Sequence, residues 1–153
     1  MSLLGRIFGN RYAKDSVVLS SEFIRQKLDA HPLFKGTHIV LKDGDYQGLE
    51  IGRLKDFVSD NVWVVTKKYQ KEVFDCDDFA ACARADILRA GADAGFKRAA
   101  FVAEVSYERT GGSYHAANLL IDSTGILHIY EPQTGRITKD LASEIKSVGE
   151  VWG

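Results

Sequence analysis

Gln70-Lys-Glu-Val-Phe-Asp-Cys76-Asp-Asp-Phe-Ala-Ala-Cys82 is the stretch on which the reading of this chain turns. Asp75 has the chemistry of a helix N-cap, acidic residues fill the turn after it, and an alanine-rich run follows. The pattern predicts a helix from Cys76 to about Ala92, with Phe79, Ala80, Ala83, Ile87 and Leu88 on its packed side. Its many alanines suit a helix laid flat against a sheet. Cys76 then stands at the first helical position, where unpaired backbone N–H groups and the helix dipole favour an anion such as a thiolate.

Outward from this helix, the chain shows no internal repeat and no low-complexity linker, so residues 1–153 are expected to form a single domain. Residues 1–15 are expected to be a tail, frayed or docked on a protein partner. Ser20 or Ser21 should cap a helix reaching Ala30, stopped by His31-Pro32. Thr37 to Leu41 is strand-prone, and Lys42-Asp43-Gly44-Asp45 reads as a turn. A short helix is expected from Gly52 to Ser59, and Val62 to Val65 is a strand or the approach to the central helix. Strands are expected at Arg98–Tyr107, Ser113–Ile121 and Gly125–Glu131, then a helix at Lys139–Lys146 and an edge strand at Val148–Trp152. Helices first and an antiparallel meander after make this α+β organisation.

The turn Asp122-Ser-Thr-Gly125 folds two strands into a hairpin. A fold centred near Ser123 sets Leu119 opposite Leu127 and His115 opposite Glu131, at the open end of an apolar face. Cross-strand partners have Cβ atoms about 5 Å apart, close enough for imidazole to bond carboxylate. If the Cys76 helix packs on that face, Cys76, His115 and Glu131 form a catalytic triad. His115 serves as base and acid, and Glu131 orients the ring. Gln70, Gln133 and, with less weight, Asn118 are amide donors for an oxyanion. Taken singly, such a cysteine or histidine is more often a core residue, and Cys82 reads as buried filler. His128, on the face opposite Glu131, is expected to be exposed.

Composition narrows the classes. A net charge of −1 gives no footprint for nucleic acid, and no apolar run approaches the ~20 residues that span a bilayer. The opening residues lack the apolar run of a signal peptide. Cys76 and Cys82 lie six residues apart on one helix, about 9 Å along its axis, so both should be free thiols, as in a reducing, cytoplasmic compartment.

With these residues in place, the sequence resembles the papain-like and transglutaminase-like cysteine peptidase superfamily, in which Cys at a helix start is followed by His and then a polar residue on successive strands. The Gln70-to-Cys76 spacing looks like that superfamily's oxyanion glutamine. The order Cys76, His115, Glu131 looks closest to the Cys-His-Glu protease domain of the Marasmius oreades agglutinin. The resemblance implies a central helix on an antiparallel sheet. It also implies a thiol protease, amidase or acyltransferase that forms a thioester on Cys76 and takes a peptide or protein substrate. No cofactor is required, although calcium follows from the agglutinin, with Asp75, Asp77 and Asp78, and Asp43 and Asp45, as oxygen ligands. The rival expectation is a non-catalytic binding module or accessory particle protein that keeps the fold. A metal enzyme built on His115 and Glu131 lacks enough closely spaced ligands.

Overall fold

The computed structural model describes residues 12–14, 16–63, 66–71 and 73–153. The tail expected over residues 1–15 is described only at 12–14 and 16 onward, and Val64 and Val65 of the expected strand lie outside the described residues.

Strand β1 (Val17–Ser20) leads into helix α1 (Ser21–Ala30), whose start is fixed by the Ser20 hydroxyl accepting the Phe23 N–H at 3.1 Å. A 3₁₀ turn (Pro32–Phe34) and strands β2 (His38–Val40) and β3 (Asp45–Gly48) follow. Helix α2 (Ile51–Asn61) is capped by Glu50, whose carboxylate accepts the N–H groups of Gly52 and Arg53. Helix α3 (Cys76–Asp93) begins where the sequence predicts. The Asp75 N–H donates to the Asp78 carboxylate at 3.2 Å, the backward half of a capping box. Strands β4 (Val102–Arg109), β5 (Tyr114–Ile121), β6 (Leu127–Glu131), β7 (Arg136–Thr138) and β8 (Ile145–Trp152) complete the chain.

Six strands form one sheet in the order β2-β8-β4-β5-β6-β7, and β1 pairs with β3 in a small second sheet. Side chains alternate across the large sheet. Ala103, Val105 and Tyr107 of β4, Ala117, Leu119 and Ile121 of β5, and Leu127 and Ile129 of β6 bury one face against Ile24 and Leu28 of α1, Phe34, and Leu19 and Tyr46 of the small sheet. Val102, Leu120 and Tyr130 bury the other face against Leu54, Phe57 and Val58 of α2 and Phe79, Ala83 and Ile87 of α3. Each such large side chain contributes roughly 1.5–3 kcal/mol by leaving water.

The expected papain/transglutaminase-like architecture, a central helix on an antiparallel sheet, is therefore corrected. The sheet is mixed, because β2 runs parallel to β8, and it is covered on both faces. The sheet, not the helix, is the element everything else packs on. No helix forms at Lys139–Lys146: Leu141 is buried in a turn and Ile145 already begins β8. That strand is interior rather than an edge, because the alternating Ile145 and Val151 are buried between β2 and β4.

Candidate functional site

The hairpin of β5 and β6 brings His115 and Glu131 together. Its register pairs Asn118 with Tyr130 and Leu119 with Ile129, two residues away from the expected pairing. A slip of two keeps every side chain on its expected face, so His115 reaches Glu131 diagonally, its Nε2 bonding Oε2. The Arg109 guanidinium donates to the same oxygen at 3.4 Å, and the Gln133 backbone N–H donates to the other carboxylate oxygen at 3.2 Å. Burial alone would raise the Glu131 carboxyl. The hydrogen bond and charge of His115, the Gln133 N–H and Arg109 together outweigh burial and hold it below the usual carboxylate range. The ring of Tyr107 meets His115 edge-on at 5.5 Å, and its phenol is pushed up by burial first and by Glu131 second.

Among the described residues Cys76 makes no hydrogen bond to His115 or Glu131. Asn118 donates from Nδ2 to the Ala80 carbonyl of α3 at 2.9 Å, so the Asn118 face of β5 looks at the helix. His115 lies three positions away in an alternating strand, on the face buried against α1, with Tyr107 and Ala117. Cys76 is half-buried at the head of α3, and Cys82, expected in the core, is exposed; both are free thiols.

The amide candidates take other roles. Gln70 is exposed, and its backbone closes a turn with Phe74 through bonds of 2.8 and 2.7 Å. Gln133 acts through its backbone on Glu131. Asn118 is fully buried beneath α3, and among the described residues its Oδ1 has no hydrogen-bond partner.

Of the acidic trio, Asp75 and Asp77 lie with Cys76 in a group whose donor atoms are all within 4.8 Å of one another, while Asp78 is engaged with the Asp75 N–H. The hydrogen bond with Asp75, and then the N–H groups of Asp77 and Asp78, hold the Asp77 carboxyl low. Calcium takes six to eight oxygens, and two carboxylates beside a soft sulfur do not fit it as they stand.

Two features escaped the sequence reading. His128, expected to be exposed, is buried at 4% exposure and bonds through Nε2 to the Asp122 carboxylate at 2.9 Å. Its face was read correctly, but that face is the one α2 and α3 cover. The other is a strip of sheet beyond the head of α3. There Tyr114 pairs with Glu108, Ser106 with Ala116 and Glu150, and Trp152 with Glu104. Tyr114 is 83% exposed and Trp152 44%, and the His38 ring meets Trp152 edge-on at 6.0 Å. A strand of β-branched and polar residues ending in an aromatic was the available signal, but which strands lie beside it is set by the β8 pairing.

The agglutinin C-terminal family matches residues 54–137, more than half of the chain. No curated protein matches it. Among solved structures the chain is similar to the PSL1a–E64 complex, with 21% identity and a TM-score of 0.74. It is also similar to the Polyporus squamosus lectin bound to a human-type influenza-binding epitope, with 21% identity and a TM-score of 0.72. Each comparison covers 88% of this chain and 49% of the other, so the chain spans about half the length of these structures. These matches correct the expected family and the expected activity. The papain-like/transglutaminase-like assignment gives way to an agglutinin family, and the fold neighbours include a lectin. The expected cysteine hydrolase or acyltransferase, a thiol protease acting on a peptide or protein substrate, gives way with it. Among the described residues no helix is long and apolar enough to cross a membrane. By the extent of the match the chain belongs to the agglutinin C-terminal family.

Proposed function

We propose that the chain is a non-catalytic binding module whose ligand is a neutral glycan, taken on the uncovered strip of the sheet. The supporting observation is the arrangement of that strip: Tyr114 and Trp152 at its two ends, with Ser106, Glu108 and Glu150 between them. Glu104 and Glu108 are four residues apart on β4, so the two rings are offset by about 13 Å along the strand. Flat rings take the C–H faces of sugars, and hydroxyl and carboxylate groups between them bond sugar hydroxyls. Three glutamates beside the strip, of which Glu108 is paired with Lys146 at 2.8 Å, disfavour an anionic ligand and favour a neutral one. The similar lectin is itself bound to a glycan epitope, the sialylated Neu5Aca2-6Galb1-4GlcNAc; it supports a glycan ligand, and the preference for a neutral one rests on the glutamates alone.

A glycan array probed with the chain tests this, followed by calorimetry on the best neutral saccharide. Tyr114→Ala and Trp152→Ala should each weaken binding by about tenfold, as loss of one stacked ring does. Retention of no neutral glycan, or variants that bind like the parent, would overturn the reading.

A second reading concerns the head of α3, and the E64 complex of a similar structure favours it. We assign Cys76 as the contact for such a small molecule, with Gln70 across the turn, and His115 and Glu131 as the fixed polar pair behind the β5 strand. E64 should raise the melting temperature of the parent chain, and the shift should vanish in Cys76→Ser. A parent chain whose melting is unmoved by E64 sinks this assignment.

A further inference from the structure

Between α2 and the β6–β7 hairpin lies a cavity of about 360 Å³. That is large enough for a small organic molecule. Val58, Val62 and Ile137 form apolar walls, and Lys55, Ser59 and Tyr130 add polar groups. Tyr130 is only 2% exposed, and among the described residues its hydroxyl has no hydrogen-bond partner. That oxygen is also not sealed in the core, where Asn118 Oδ1 is the orphan. A buried phenol with an open, unpartnered hydroxyl on the wall of a cavity is a donor awaiting an acceptor. Burial, and then the charges of Asp86 and Glu131, push the Tyr130 phenol up to about 12, so it keeps its proton at neutral pH.

Lys55 is exposed and forms no ion pair among the described residues. The acidic groups near Tyr130 are already engaged. Asp86 accepts the Trp63 N–H at 3.0 Å and pairs with Arg89, and Glu131 is held by His115 and Arg109. The cavity therefore offers one uncommitted cation, one uncommitted donor and an aliphatic floor.

We propose that this cavity binds a small organic anion: an apolar ring system bearing one carboxylate or sulfonate, the charged group on Lys55 and Tyr130, the ring against Val58, Val62 and Ile137. The site is separate from the glycan strip and does not depend on it.

Fluorescence titration of the purified chain with 8-anilinonaphthalene-1-sulfonate tests the assignment. The expected result is a blue-shifted signal saturating at one probe per chain. Lys55→Gln should weaken it by about fivefold, the size of one exposed charge contact, and Tyr130→Phe should weaken it further. The neutral probe N-phenyl-1-naphthylamine should bind the parent and Lys55→Gln alike. Lys55 is exposed, so its substitution leaves the fold intact, and this variant decides the matter even if Tyr130→Phe is unstable. Failure of the sulfonate to saturate, or equal affinity in parent and Lys55→Gln, would overturn the proposal.

Discussion

The molecule holds two histidine–carboxylate pairs on one hairpin, and their surroundings separate a brace from a rim. Asp122 is 2% exposed, and its Oδ1 accepts three bonds: the Thr124 N–H at 2.8 Å, the Thr124 hydroxyl at 2.6 Å and the Ile126 N–H at 3.1 Å. Its Oδ2 takes His128. This pair is fully consumed in tying the β5–β6 turn. His115–Glu131 sits at the other end of the same strands, and its third member, Arg109, has a side chain 45% exposed. The same chemistry is sealed at one end of the hairpin and reaches solvent at the other.

Substitutions should separate the two pairs by size of effect. Asp122→Ala leaves His128 and three donors without their acceptor and should destabilise the chain by about 3–5 kcal/mol, read by urea unfolding. Glu131→Gln keeps the shape and one acceptor and should lose about 1–3 kcal/mol in the same measurement. If the two losses were equal, the contrast between brace and rim would fail. The pH profile sharpens the comparison. Both carboxyls are held below their ordinary values in the folded chain. Their contribution is thus complete above the unfolded carboxylate pKa and is lost as pH falls through the lower folded value. Unfolding midpoints should drop on acidification below about pH 4.5, and Glu131→Gln should flatten part of that limb. Tyr114→Ala, on the open rim, should change stability by no more than about 0.5 kcal/mol, so any loss of glycan binding in that variant is a loss of contact. A large shift in its melting temperature would contradict the 83% exposure of the ring.

Local signals carried the helices. The serine at position 20, the His31-Pro32 stop and the Asp75 cap lie within a few residues of what they govern, and each marks its boundary. Parity also survived, because Glu131 and His115 share a face whether the hairpin is centred at Ser123 or, as here, one residue on at Thr124, which shifts each pairing by two. What sequence could not supply was the third dimension. The face of the sheet on which α3 lies is the one from which Asn118 reaches Ala80, and no local pattern announces it. The His128 environment depends on the same packing. The β2–β8 pairing joins segments too remote for any local pattern to announce, and the β4–β8 register that sets Trp152 and Glu150 beside β4 is equally non-local.

That pairing also bears on the order in which the chain can assemble. Strand β2 touches the large sheet only through β8, and contact between His38 and Glu150 closes a loop of about 110 residues. Helices and hairpins can organise early from near neighbours, yet the first strand of the large sheet must wait for the last. During synthesis the β4 flank would stay open until translation reached Trp152, and that interval is when a companion strand from another molecule would compete for it.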